Sequence, residues 1–189
     1  MKNTPNKFFW IFILFAAMVL LGGIDQTTKD ALKVQHILKT IERKPKQPDT
    51  NKESIAEVSE KEVNAYIAYR LAREENPIVN NLTVNLLGNN QIQGKVRIKA
   101  DQLNLGGLLG KDLNFDFKGI VQTRDNAARL NLTDLYLDGY SVQPQVLDFV
   151  ISSAGALYDT DVGRVGDWYT LPKGMKRVKV QKAKATIYY

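Results

Sequence analysis

The 189-residue chain has no cysteine and a single histidine, His36. Without cysteine there is no disulfide framework, no thiolate metal site, no cysteine nucleophile and no lipid-modified cysteine. With one histidine, which sits in a polar stretch, paired-imidazole chemistry is excluded. No phosphate-cradling glycine loop followed by lysine is present, and no G-x-S-x-G nucleophile motif. Gly106–Gly110 (GGLLG) lacks the lysine and falls between strand patterns, so it reads as a loop. Asp159, Asp161 and Asp167 cluster in sequence but lack the spacing and closing glutamate of a calcium loop. No pair of carboxylates is singled out for acid–base work. These absences argue against an enzyme, against a metal or other cofactor, and leave nothing that points to nucleic acid.

What is present is apolar patterning and an uneven charge. Hydrophobic residues make up 44% and charged residues 24% of the chain, ordinary values for a globular protein. The net charge of +6 is concentrated at one end: residues 172–189 hold Lys173, Lys176, Arg177, Lys179, Lys182 and Lys184 and no acid, so the rest of the chain is neutral. Such a run suits an anionic neighbour, either lipid headgroups or an acidic envelope partner. It equally suits a solvated strand guarded by lysines against edge pairing.

Phe8–Ile24 is an uncharged run of seventeen residues preceded by Lys2 and Lys7. As a helix it would measure roughly 26 Å, slightly short of the ~30 Å hydrocarbon core. The preceding lysines place the N-terminus in the cytoplasm and the rest of the chain outside it. The run is long for a signal-peptide core and no A-x-A pattern follows, which favours an uncleaved anchor over a cleaved signal. Residues 1–24 are therefore expected to be the membrane segment, and 25–54 a polar juxtamembrane helix and linker. The helix would use Ala31, Leu32, Val34, Ile37, Leu38 and Ile41, and the linker would be Lys44–Lys52. Residues 55–189 form the extracytoplasmic domain.

That domain opens with a local start signal. Ser59 and Glu62 have capping-box spacing, and Val58 with Val63 can form the hydrophobic staple. The helix is expected to run to about Glu75, before Pro77, with Val63, Tyr66, Ile67 and Leu71 on one face and Ala65, Ala68 and Ala72 on another. The apolar period then changes from 3.6 to 2. Leu82, Val84 and Leu86 form one row, and Gly88-Asn89-Asn90 supplies a hairpin turn. Ile92, Val96 and Ile98 follow, then Leu113, Phe115, Phe117 and Val121 with Gly119 at a bend. Residues 128–140 (ARLNLTDLYLDGY) read as one strand with Leu130, Leu132, Leu135 and Leu137 facing one way. A turn through Ser141–Gln143 leads to a helix over Pro144–Tyr158, with proline in the first helical position. The apolar row slips parity at Asp101-Gln102, Thr133-Asp134 and Gln181-Lys182, and three such slips predict β-bulges in a strongly curved sheet. The last strand, with its slip, would carry Arg177, Lys179, Lys182 and Lys184 as a basic stripe on the convex side.

The fold class expected is α+β: a membrane helix, then a curved antiparallel sheet of about five strands gripping one or two helices. Several stretches carry a resemblance. They are the helix start SEKEVNAY at Ser59, NNQIQGKV at Asn89, LYLDGYSVQPQVLDF at Leu135 and TLPKGMKRVKV at Thr170. Over Ile55–Tyr189 the chain resembles bacterial exported proteins of the YpmS and LmeA type. That resemblance implies a fold related to tubular lipid-binding proteins, and work at the cell envelope in lipid binding or transfer. The groove residues expected on this basis are Tyr66, Ile67, Leu71, Phe115, Phe117, Leu130, Leu132, Leu135, Leu137, Val146, Phe149, Val150, Trp168 and Leu171. The alternative is a non-catalytic envelope scaffold whose basic face binds an anionic membrane or protein partner.

Overall fold

The computed structural model describes residues 24–43, 53–74, 77–103, 112–124, 126–157 and 163–189. The expected anchor (all but Ile24), the linker Lys44–Lys52, the Gly106–Gly110 loop, Tyr158, and Asp159 with Asp161 lie outside these residues. Among the described residues no helix is long and apolar enough to cross a membrane.

The first described element is α1, Ile24–Arg43, twenty residues long. Ala31, Val34 and Ile41 repeat at helical spacing and are buried, and Val34 and Ile41 belong to the same core cluster as the sheet. The amphipathic helix expected here thus forms, and the core recruits it from upstream of Ile55. A short strand, β1 (Ile55–Ser59), leads directly into α2 (Glu60–Leu71). The capping box is closed in both directions: the Glu62 N–H donates to Ser59 Oγ at 3.2 Å, and the Ser59 N–H donates to Glu62 Oε2 at 2.7 Å. Helix α2 buries Val63, Tyr66, Ile67 and Leu71 on one side and Ala65 and Ala68 on the other, so it is enclosed from two directions. It ends at Leu71, four residues before the expected stop.

The main sheet follows. Strands β2 (Val79–Gly88), β3 (Gln91–Lys99), β4 (Asp112–Arg124), β5 (Ala127–Leu137) and β6 (Tyr140–Ser141) pair in sequence order, with β7 (Tyr169–Thr170) added to β5. All pairs are antiparallel and the sheet curls into a half-barrel. The β2–β3 turn uses Asn89 and Asn90 at φ 50° and 60°, the left-handed pair that a tight hairpin requires. Gly94 lies opposite Phe117 in register, and a Cβ there would fall 2.3 Å from the Phe117 ring, so glycine makes room for the aromatic. Beyond β6 comes α3, Pro144–Leu157, which buries Leu147, Val150 and Ala154.

A second sheet has the order β1-β9-β8, with β8 at Arg177–Gln181 and β9 at Lys184–Tyr188. It is stitched to the hairpin end of the large sheet. The Val180 N–H donates to Asn90 Oδ1 at 2.8 Å, and the Asn90 N–H donates to Val180 O at 3.0 Å. Helix α2 covers the exposed edge of β2. The Asn64 side chain accepts from Val84 N–H at 2.9 Å and donates to Val84 O at 2.8 Å, as a neighbouring strand would. The Glu60 carboxylate accepts from Leu86 N–H at 2.6 Å. These contacts satisfy backbone groups that would otherwise invite edge pairing.

Three expectations are corrected here. The sheet system has nine strands in two sheets among the described residues, not about five. Only the slip at Thr133 is a bulge: Lys118 pairs with Asp134 and Gly119 with Leu132, leaving Thr133 extra. The slip at Asp101-Gln102 is a short 3-10 turn over Ala100–Gln102. The slip at Gln181-Lys182 is a hairpin, since Gln181 pairs with Lys184 across a Lys182-Ala183 loop. The strand expected to run to Tyr140 stops at Leu137, where Asp138-Gly139 at φ 49° and 86° turns it back into β6.

Candidate functional site

Most residues expected to line a groove are buried within or against the apolar core cluster. Ile67, Leu71, Phe115, Phe117, Leu130, Leu135 and Val150 are buried in one continuous cluster, with Leu132, Leu137 and Val146 packed against its edge. Phe149 lies on the outer face of α3 and is 60% exposed. Trp168 is partly buried and carries two guanidinium groups over its ring, Arg124 at 4.1 Å and Arg129 at 4.7 Å. That stacking gives it a structural occupation rather than an open face. Of the expected set, Tyr66 and Leu171 border an empty space that the described residues enclose.

That space is an apolar pocket of about 130 Å³, partly open to solvent, where the small sheet meets the end of the large one. Each wall has a local origin. The α1 stripe supplies Val34 and Leu38. Strand β1 and helix α2 supply Val58, Val63 and Tyr66, the two valines standing at the staple positions on either side of the Ser59 cap. Val121 and Ala128 come from the β4–β5 end. The inward faces of β8 and β9 supply Val178, Ala185 and Ile187. The remaining side is the segment Thr170, Leu171, Pro172 and Met175. Residues 172–175 form a tight turn in which the Met175 N–H donates to Pro172 O at 2.9 Å, with Gly174 at φ 88°. Gly174 packs so closely on α1 that a Cβ would lie 2.5 Å from Ile41 O.

Tyr66 and Thr170 are the wall residues with a polar side chain, and the surface the wall presents is almost wholly apolar. A charged or strongly polar group inside would lose its hydration without compensation, so the pocket suits hydrocarbon. Its volume is near that of the ~150 Å³ dry cavities that bind benzene, and below the ~300–1,000 Å³ of sites for larger ligands.

The charges around α1 and the small sheet are mostly paired. Lys61 meets Asp30 at 2.9 Å and Lys33 contacts Glu62, tying α1 to the start of α2. Burial works against ionisation of Glu62, but the Lys33 ammonium and the Ser59 donors outweigh it and hold the carboxyl below its ordinary value. On the small sheet, Arg177 reaches Glu53 at 2.6 Å and Lys184 reaches Glu57 at 2.7 Å. The hydrogen bond between the first pair lowers the Glu53 pKa and raises that of Arg177. The basic stripe is thus a two-stranded patch in which Arg177 and Lys184 are neutralised by acids of the β1 segment. Lys179 and Lys182 remain exposed. Among the described residues no group of three histidines, cysteines or acids is placed to hold a metal ion.

Twelve pocket residues went unrecognised as a site: Val34, Leu38, Val58, Val63, Val121, Ala128, Thr170, Pro172, Met175, Val178, Ala185 and Ile187. The usable signal was the P-K-G-M turn, whose proline and glycine fix a bend between two apolar residues just before a basic strand. No protein-family model, curated protein or solved structure matches this chain.

Proposed function

We propose that this chain is a non-catalytic, membrane-tethered domain on the extracytoplasmic side of a bacterial membrane, where it binds or transfers lipid or another apolar ligand. In this reading Phe8–Ile24 is the tether. The curled sheet with its enclosed helix is a variant of the tubular lipid-binding fold, in line with the resemblance to YpmS- and LmeA-type proteins. The observation that carries the reading is the pocket wall, whose surface is almost wholly apolar and whose only polar side chains are Tyr66 and Thr170. Burial of hydrocarbon at roughly 25 cal/mol per Å² would supply the affinity without any catalytic group. We place the ligand site at this junction of the two sheets rather than along the leucines of β5, which pack within or against the core.

Native mass spectrometry of the full chain, released from its membrane fraction in a mild detergent, tests the proposal. A copurifying apolar molecule in near-stoichiometric amount is expected. A bare mass in every preparation, together with no uptake of added lipid, would sink the reading. Exposed Lys179 and Lys182 favour a second reading, an envelope scaffold that holds an anionic membrane or protein partner on its small sheet. Under that reading Lys179→Glu with Lys182→Glu would abolish partner binding while the chain stays free of bound lipid.

A further inference from the structure

Resting on the apolar-ligand reading above, we propose that the ligand is a single-chain amphiphile with an anionic head, its chain end in the pocket and its head between Lys173 and Lys176. The cavity limits the occupant first. About 130 Å³ accepts the last few carbons of one chain, and a second chain has no room beside it. The wall then excludes the head. With Tyr66 and Thr170 as its only polar side chains, and the Tyr66 hydroxyl accepting from Arg70 at 3.4 Å, the almost wholly apolar wall offers little to a carboxylate or phosphate, which must stay at the mouth in contact with water.

The turn that closes the pocket supplies what such a head would meet. Pro172 and Met175 both face the cavity, while Lys173 at the turn apex and Lys176 just beyond it are exposed. The turn is held at both ends, by the Met175 N–H on Pro172 O at 2.9 Å and by the Lys176 N–H on Tyr188 O at 2.8 Å. Two ammonium groups are therefore carried beside the apolar wall on a fixed piece of backbone. No acid occurs anywhere from Trp168 to Tyr189. Of the nearby acids, Glu53 is bonded to Arg177 at 2.6 Å and also feels the Lys176 charge, and Glu42 is exposed next to Ile41 on α1. An uncharged head would gain nothing from the two ammonium groups, and a cationic head would be repelled by them.

The test uses the full-length chain in phosphatidylcholine nanodiscs and follows the Met175 methyl resonance during titration with four probes. These are decanoate, decanol, decyltrimethylammonium and the two-chain dihexanoylphosphatidylglycerol. Decanoate should bind about tenfold more tightly than decanol, with the cation weakest and the two-chain lipid leaving Met175 unshifted. Lys173→Glu with Lys176→Glu should erase the preference for decanoate and leave decanol binding unchanged, and the Gln pair should fall between. Equal affinities for decanoate and decanol, or a preference that survives both variants, would overturn the anionic head. A Met175 shift with the two-chain lipid equal to that with decanoate would overturn the single chain. If none of the probes shifts Met175, the apolar-ligand reading itself fails.

Discussion

Phe115→Ala is expected to lower the free energy of unfolding by about 3–5 kcal/mol, a large part of the ~5–15 kcal/mol that holds a typical domain together. Phe115 is 1% exposed and sits on β4 opposite Val96 of β3 and Leu137 of β5. Its ring is among the largest fully buried side chains, and the neighbouring strands are held in register by backbone hydrogen bonds. The site therefore has little freedom to collapse into the void. Urea unfolding of the purified chain measures the loss. A cost under about 1 kcal/mol, accompanied by loss of ligand binding, would mean instead that Phe115 faces a groove and that the core description is wrong.

Gly174→Val is the second large effect, because two independent constraints meet at one residue. At φ 88° a side chain costs about 1–2 kcal/mol from backbone sterics alone. The added Cβ would also sit 2.5 Å from Ile41 O, a backbone atom that can give way only if α1 moves. Overpacking of that kind adds about 1–3 kcal/mol. Since α1 and the Pro172–Met175 turn are facing walls of the pocket, the variant should lose apolar-ligand uptake as well as stability. Gly174→Ala should show both effects in weaker form. Thermal unfolding together with a decanol titration reads both consequences. Wild-type stability in the valine variant would contradict the close approach of α1 to the turn.

Local signals were legible in the sequence and long-range ones were not. The start of α2 could be placed to the residue because Ser59 and Glu62 satisfy each other's backbone within one turn. The Asn89-Asn90 hairpin and the Thr133 bulge were legible for the same reason. A run of polar residues that breaks alternation looks the same in sequence whether the chain bulges or reverses. At Lys182-Ala183 it reverses, with Ala183 at φ 61° where glycine or asparagine would have announced a turn. What holds alanine there is distant in sequence: its N–H donates to Leu86 O at 2.9 Å and its carbonyl accepts from Glu60 N–H at 2.8 Å. Asp138-Gly139 did carry turn chemistry, but the leucine row running up to it read as one long strand.

The pocket was the least legible feature. Its wall combines one helix stripe from upstream of the linker, the staple pair at the start of α2, the ends of two long strands and the inner face of a hairpin. Each piece reads as ordinary core on its own, and only their meeting leaves a space. The leucines of β5 drew notice because they are a dense row, yet density of apolar residues is what a filled core has as well.

Ala185→Phe tests the location of the site most directly. Its ring would point into a cavity of benzene-like volume, from a β9 position that already faces inward. The measurement is magnetisation transfer between the Met175 methyl group and the chain protons of bound decanoate, made on the full-length protein before and after the substitution. Strong transfer in the native chain that disappears in a folded Ala185→Phe variant is the expected result. Undiminished binding in that variant, with contacts to Phe149 and none to Met175, would contradict it.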